Sequence, residues 1–594
     1  MSEPSITPPL KSSREVIVRA IRTISASPER IWPHLTDSDL FNRYLGLTPL
    51  EIRMDRDSDN LNLPTAVMKF FGVTVARQSD PLIEWVAPLW FRRRREFAGS
   101  PWHSIVSLQT INEMATGCEV TYEMRFDVRW WFKPFFAVGR HYIKLRISSF
   151  LSRVDVLSKA EASETSPAPV SKVSIDRQFC RDRYRDYQID QQLLETLLDW
   201  IASADMRQLQ RIRPLQLASE LNADAKALLR LLLVGNTEGL FDLNWELVCP
   251  SCRGVSVSSS DLKRIKAGFH CDTCRLDLTA SFDDALEITF SPTHAIRAVT
   301  RSAFCYGYPV QTPHVIVQQR MGPCEEFELE SLKPLMVNYW VLPYKHQGIA
   351  ALGEKTRIVV SEENVRVEEI NGGVKRLSLV NQSSLPILFQ LQEPLKTAQC
   401  LTAAKLTSMQ DFRDLLATQI LAPDVTLGIR NLTILFTDLK GSTEMYSQIG
   451  DAPAFEQVKR HFDLLIKIVR NFDGGVVKTI GDSVMAVFSN PLDAVKAAYE
   501  MQRQVTGIGL ILKVGINAGP CIAISQNDVL DYFGTTVNLA ARVQSLSRGD
   551  IVISKTLFEV PGVIEIIVGE GLAHGLESVP IKGFFQDVEV VRVG

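Results

Sequence analysis

Two apolar runs that each lead to an aspartate constrain the last third of this 594-residue chain more than any other feature. Residues 433–436 are an apolar, strand-like run closed by Thr437 and Asp438, and Leu439, Lys440, Gly441, Ser442 and Thr443 then lead into a helical pattern. A carboxylate at the end of a strand, beside a helix start, is well placed to bind a metal ion. Phe455, Val458, Phe462, Leu465 and Val469 are spaced for one helical face, which Gly474-Gly475 ends. Residues 476–479 and 484–488 read as a hairpin, and its turn, Ile480-Gly481-Asp482, carries a second carboxylate. Two acids at adjacent strand ends suit a two-metal site. Further along, Asn538 and Arg542 stand one helical turn apart in a predicted helix and so share a face.

Three separated segments carry a resemblance. Phe436-Thr437-Asp438-Leu439-Lys440-Gly441-Ser442-Thr443, Lys478-Thr479-Ile480-Gly481-Asp482 and Asp531-Tyr532-Phe533-Gly534-Thr535-Thr536-Val537-Asn538-Leu539-Ala540-Ala541-Arg542 together resemble the motif set of class III adenylyl and guanylyl cyclases. The resemblance implies a ferredoxin-like α/β catalytic domain over 429–594. It implies two Mg²⁺ or Mn²⁺ ions per active site, held by Asp438, Asp482 and the carbonyl of Leu439, and triphosphate contacts from the amides of Lys440, Gly441, Ser442 and Thr443 and from Lys582. Asn538 would orient the ribose and Arg542 would bind the α-phosphate as charge gathers there.

Lys478 and Asp531 bear on the base. Adenine offers N1 as an acceptor and N6 as a donor, which a Lys donor and an Asp acceptor match; guanine needs an acidic partner where Lys478 stands. The family's guanylyl members typically carry Glu and Cys at these places. The reading is an adenylate cyclase, a phosphorus–oxygen lyase converting ATP to 3′,5′-cyclic AMP and pyrophosphate. The alternatives are a guanylate cyclase and a non-catalytic nucleotide-binding or dimerisation module. In the family the metal aspartates and the Asn/Arg pair of one site come from different subunits, so one complete set per chain implies a homodimer.

The remaining four hundred or so residues exceed what one core holds, so a multidomain α+β protein is expected. Apolar residues make up 45%, charged residues 22%, and the formal charge is -3, values of an ordinary globular protein with no basic excess for nucleic acid. The polar start lacks the apolar core of a secretory signal, no window is long enough to span a bilayer, and a cytoplasmic protein is the expectation.

Residues 14–157 combine the segment Ser27-Pro28-Glu29, a capped helix start, with several alternating runs and a closing helix over 133–156. This resembles the helix-grip domain of the START and polyketide-cyclase superfamily, whose cavity implies a small hydrophobic ligand. Arg92, Arg93, Arg94 and Arg95 are expected on a solvated strand. A linker is expected over 158–185, where residues 159–172 are rich in Ala, Ser, Glu and Pro. Over 186–284 a helical, winged-helix-like segment, with two helices joined at Asn222-Ala223-Asp224, leads to Cys249, Cys252, Cys271 and Cys274. These are two Cys-x-x-Cys knuckles eighteen residues apart, the spacing of a zinc ribbon, and four thiolates would close a structural Zn²⁺ site. A β-sandwich-like module is expected over 285–402 and a connecting helix over 403–428, its apolar spacing carried by Met409, Phe412, Leu415, Leu416 and Ile420. Sensor-like domains ahead of an output domain imply that the upstream part regulates the cyclase.

Overall fold

A computed structural model of the chain describes residues 15–594 apart from 45–50, 57–61, 71–72, 99, 161–172, 205, 251–252, 272–275, 284, 300–308, 310–314, 331–334, 343, 345, 353–354, 370–375, 394–399, 573, 582 and 584–586. Residues 427–593 are built on an eight-stranded sheet, in the order Gly474–Ile480, Ser483–Phe488, Leu427–Leu439, Leu512–Gln526, Ile551–Ser554, Val588–Val593 and His574–Val579, with Val529–Phe533 beside Leu512–Gln526. Neighbours are antiparallel except Leu512–Gln526 with Ile551–Ser554. Leu435 and Leu439 of the central strand face the helices Asp451–Asn471, Pro491–Gly507 and Val563–Gly569, while Leu432, Ile434 and Phe436 enter a second core on the opposite face. Burial on both faces is why this strand reads as a continuous apolar run rather than an alternation.

The face expected for Asp451–Asn471 is rotated. Its buried stripe is Ala454, Val458, His461, Leu465, Ile468 and Val469, whereas Phe455 is exposed. The stripes 454, 458, 461, 465, 468 and 455, 458, 462, 465, 469 keep the helical period equally well, so packing chooses between them, and the stripe it buries puts a histidine among apolar neighbours.

The second face of the sheet is covered from upstream. Helices Arg177–Arg183, Gln191–Ser203, Met206–Gln210, Pro214–Glu220 and Ala225–Thr237 and the three-stranded antiparallel sheet Leu286–Pro292, Phe241–Val248, Val255–Ser259 share one apolar core with Leu427, Ile429, Leu432, Ile434, Met485, Val487 and Tyr532. Asn222, with φ +51°, turns the chain between Pro214–Glu220 and Ala225–Thr237, and Asp224 caps the second helix. The first of these helices lies inside the stretch expected as a linker, part of which falls outside the described residues.

The connecting helix expected within 403–428 is broken into Ala403–Thr407 and Gln410–Leu415, followed by irregular chain up to Leu427. The break lies where the chain meets the sheet. Ser408 and Met409 lie against the strand Gly474–Ile480 so closely that a Cβ at Gly475 would come within 2.8 Å of the Ser408 carbonyl oxygen. Only glycine admits that approach.

The β-rich stretch expected as a separate sandwich over 285–402 is divided. Leu286–Pro292 belongs to the helical unit's sheet, and Val315–Met321 pairs with Val73–Val86 of the N-terminal part, Val317 opposite Val86. One eleven-stranded sheet therefore runs Glu15–Ile24, Gly117–Val128, Trp102–Met114, Trp90–Ala98, Val73–Val86, Val315–Met321, Ile387–Gln392, Leu335–Leu342, His346–Leu352, with Asn62–Phe70 and Glu51–Arg56 branching from Val73–Val86. Glu326–Glu330, Arg376–Asn381, Lys355–Val360 and Val365–Glu369 form a separate four-stranded sheet. Helix Lys133–Ala160 packs Phe136, Ile147, Phe150, Leu151 and Val154 into the core under Glu15–Ile24. That interior holds Phe41, Tyr122 and Phe150 in mutual ring contact, and the small apolar ligand expected there finds no support among the described residues. Arg93 and Arg95, expected on a solvated strand, are buried; on the same strand Arg92 pairs with buried Glu84.

Candidate active site

Asp438 is the penultimate residue of Leu427–Leu439 and sits opposite Lys513 in the neighbouring strand. Its Oδ1 accepts a hydrogen bond from Ser483 Oγ at 2.8 Å, and its Oδ2 lies 3.1 Å from Lys513 Nζ. Asp482 occupies the turn between Gly474–Ile480 and Ser483–Phe488, where Gly481 takes φ +63°, a backbone state that suits glycine. Because Ser483 follows Asp482 directly, its bond to Asp438 ties the turn to the central strand. Asp482 Oδ2 is buried with no hydrogen-bond partner among the described residues. A buried carboxylate oxygen left unsatisfied, on a turn that Ser483 ties to a second carboxylate, suits a divalent cation, so the residues are compatible with the metal ions that the resemblance implies. Asp438, Asp482 and the carbonyl of Leu439 would hold them.

Helix Ser442–Ile449 starts after Gly441, which has φ +77°. The Lys440 amide donates to Ile511 O at 2.9 Å, and its Nζ donates to Arg548 O at 3.2 Å, so neither group of Lys440 stands free in this state. Lys478 Nζ forms an ion pair with Asp531 Oδ2 at 2.6 Å, and Asp531 Oδ1 accepts from the Tyr532 amide at 2.8 Å. A donor and an acceptor thus stand side by side, 53 residues apart in sequence. Asn538 and Arg542 lie on the exposed side of helix Thr535–Leu546, whose Thr536, Ala540 and Val543 are buried. Neither side chain has a hydrogen-bond or ion-pair partner among the described residues. Lys582, Cys252 and Cys274 lie outside the described residues.

Residues 427–561 match the family described as adenylate and guanylate cyclase catalytic domain. The C-terminal unit is a class III nucleotide cyclase catalytic domain. Residues 183–303 match a second family, described only as of unknown function. Among curated relatives, an adenylate cyclase of Lachancea kluyveri is 28% identical over 158 residues, which are 22% of this chain and 8% of that protein. Guanylate cyclase 32E of Drosophila melanogaster is 29% identical over 174 residues, 26% of this chain and 15% of that one. An uncharacterised protein of Mycobacterium tuberculosis is 32% identical over 164 residues, 27% of this chain and 39% of that one. The chain thus spans well under half the length of these relatives. Among solved structures, the adenylyl cyclase CyaB of P. aeruginosa aligns at 21% identity with a TM-score of 0.26, covering 29% of this chain and 96% of that one.

Three features of the cyclase domain have no counterpart in the sequence reading. Ser483 and Lys513 brace Asp438, as described. His461 is fully buried on the helix behind the hairpin, and neither ring nitrogen finds a partner among the described residues. Burial pushes its pKa down from 6.5 to about 4, with the Asp482 carboxylate pulling the other way. It was legible as a polar residue within a 3.6-period apolar stripe, once that stripe is begun at Ala454. Third, the segment upstream grips the strands that carry the base pair. Gln410 Oε1 accepts from the Val476 amide at 2.8 Å, Arg413 donates to the Leu530 carbonyl and stacks 5.5 Å from the Tyr532 ring, and Tyr532 Oη donates to Thr407 Oγ1 at 2.9 Å.

The neutral His461 sets an acid limit on stability. As pH falls below 6.5 the unfolded chain takes up a proton that the folded chain refuses until about pH 4, so stability is lost across that window. The shift corresponds to about 3 kcal/mol in total. His461→Leu is expected to flatten this part of the stability curve, read as urea midpoint between pH 7 and about pH 4. An unchanged acid slope in the variant would show that other groups set it.

Proposed function

We propose that the chain is an adenylate cyclase, converting ATP to 3′,5′-cyclic AMP and pyrophosphate in a homodimer. The observation that carries this reading is the Lys478–Asp531 pair, a donor and an acceptor held 2.6 Å apart at the place where the resemblance puts the base. Lys478 donates to adenine N1 and Asp531 accepts from N6 when the base opens their mutual contact. Guanine, with a donor at N1, meets like polarity at Lys478.

Asp438 and Asp482 supply the negative charge on which the substrate's cations are held. When bound, the metal ions lower the pKa of the ribose 3′-hydroxyl and neutralise the triphosphate. The amides at the start of Ser442–Ile449 are directed to β- and γ-phosphate oxygens by the helix start. Asn538 orients the ribose ring, and Arg542 takes up the charge that grows on the α-phosphate as the 3′-oxygen attacks in line. Both side chains face solvent, and the upstream unit already covers the 427–436 stretch of the active-site face. A second subunit supplies the partner surface at the Asp438 end. All four motif residues are present, which disfavours the non-catalytic module.

The test is turnover of ATP and GTP by purified protein with Mg²⁺ or Mn²⁺. ATP is expected to be preferred on the order of a hundredfold in kcat/KM, the value of the two base contacts that guanine does not make. Equal turnover of the two would overturn the substrate assignment and leave the cyclase domain standing.

We propose further that the upstream domains regulate output through Thr407, Gln410 and Arg413, which contact the strands of Lys478 and Asp531. The four cysteines are proposed to hold one structural Zn²⁺. Cys249 and Cys271, one from each knuckle, are both buried and share a small apolar cluster with Leu342, which supports bringing the knuckles together. Purified protein is expected to contain about one zinc per chain by mass spectrometry, and Cys271→Ser to lose it together with thermal stability. Zinc-free protein of full stability would exclude the site.

A further inference from the structure

The long helix Lys133–Ala160 has two apolar faces, and among the described residues only one of them packs into a core. Phe136, Ile147, Phe150, Leu151 and Val154 face the sheet. On the opposite side Phe135 is 69% exposed and Tyr142 and Leu145 are 56% exposed, and the preceding turn holds Trp130 at 82% exposure beside half-exposed Trp131. Residues 135, 142 and 145 recur at helical spacing, so they form a stripe rather than a scatter. Single exposed apolar residues need no explanation, but a stripe with two adjacent tryptophans does.

Charge identifies the occupant. From residue 128 to residue 154 there is no aspartate or glutamate, and there are six basic residues, Arg129, Lys133, Arg140, Lys144, Arg146 and Arg153. On a helical projection Arg146 and Arg153 share the side of the apolar stripe, Lys144 lies beyond Leu145, and Arg140, though exposed, stands nearer the core-facing side. Arg140, Lys144 and Arg146 form no ion pair among the described residues, and Arg146 stacks 5.6 Å from the Tyr142 ring. A second copy of the chain docked through this face would set its cations against the same cations, which repel. Indole and phenol rings lie favourably at the boundary of headgroup and acyl chain, and flanking lysines and arginines pair with anionic headgroups.

We propose that this face of helix Lys133–Ala160, with Trp130 and Trp131, is a docking surface for an anionic lipid bilayer, on which the protein lies without crossing it. No helix among the described residues is long and apolar enough to cross a membrane. The stripe is narrow and the rest of the helix is committed to the core, so the rings enter the interface while the fold stays intact. Docking through this face brings the cyclase to the surface and is independent of the site that performs the chemistry.

The experiment is co-sedimentation of the full chain with vesicles of phosphatidylcholine alone or with about 30% phosphatidylserine, an anionic fraction sufficient to create a negative surface potential. Binding is expected to the anionic vesicles, to be weak on the neutral ones, and to fall steeply in about 0.5 M salt as screening shortens. The double substitution Arg140→Glu with Lys144→Glu, and separately Trp130→Ser with Phe135→Ser, are each expected to lower vesicle affinity at least about tenfold. Both alter exposed side chains, so melting temperature and cyclase activity in solution should stay at wild-type values. Failure to bind anionic vesicles overturns the proposal, as does binding that is equal on neutral vesicles or indifferent to both double variants. So does a charge-reversal variant that abolishes self-association or binding to added RNA while leaving vesicle binding intact.

Discussion

Asp438→Asn and Arg542→Ala are each expected to abolish cyclic-nucleotide formation, and mixing the two inactive proteins is expected to restore it. Asp438 is the carboxylate at the end of the central strand, already fixed by Ser483 and Lys513, and its replacement removes half of the charge on which the cations are held. Loss of a preorganised charge at a phosphoryl centre costs about a thousandfold or more in rate. Arg542 acts on the same reaction from an exposed helix face and has no intrachain partner among the described residues. If the site is shared between subunits, a heterodimer of the two variants has one site carrying both defects and one carrying neither. Random exchange makes half the dimers mixed, each with one intact site of two, so recovery should approach about a quarter of wild-type activity. Each protein alone stays inactive. Absence of any recovery, with exchange confirmed by differently tagged chains, would mean that the two groups act within one subunit, and the homodimer proposal would fall with it.

What the sequence made legible follows how local each feature is. Asp438 and Asp482 stand at a strand end and in a turn, where a few neighbouring residues determine the backbone, whereas Lys478 and Asp531 lie within their strands and could be paired only through the resemblance of the segments that hold them. The Asp451–Asn471 helix could be read as a helix but not in its rotation, because Phe455 and Phe462 are as apolar as the residues that are buried. Only the tertiary packing decides that His461 goes inside. The breaks and joins further upstream were not legible for a different reason. The contacts of Gln410 with Val476 and of Arg413 with Leu530 span 66 and 117 residues, and the pairing of Val317 with Val86 spans more still. Periodicity says that a strand exists and which face is apolar, not which edge it joins. A β-rich stretch and an N-terminal sheet therefore looked like two modules where four strands of that stretch join the N-terminal sheet, and a helix of good spacing breaks where Ser408 and Met409 meet Gly475.

Lys478→Glu combined with Asp531→Cys is expected to convert the enzyme from ATP to GTP. In the free chain Lys478 and Asp531 satisfy each other at 2.6 Å, and the base must replace that contact with two bonds of the same polarity. Adenine does so with N1 and N6. Guanine instead sets its N1 donor against the ammonium group and leaves Asp531 facing O6, so both contacts fail, each costing about 1.5–3 kcal/mol for a hydrogen bond to a charged partner. The wild-type preference for ATP should therefore be on the order of a hundredfold or more in kcat/KM. Lys478→Glu alone is not the swap. It places a second carboxylate beside the buried Asp531, and two acids in contact push one another toward protonation, so the single variant should be poor with both nucleotides. Replacing Asp531 with cysteine removes that repulsion and leaves a group that can donate to O6, while the introduced glutamate accepts from guanine N1 and N2. The ratio of ATP to GTP turnover should invert, with the metal requirement unchanged because Asp438 and Asp482 are untouched. A double variant whose nucleotide ratio stays within about threefold of wild type, while still folded and still able to turn over ATP, would show that the base is read elsewhere. The place to look then would be the strands that Thr407, Gln410 and Arg413 hold, since a shift there moves the backbone around both residues without altering either side chain.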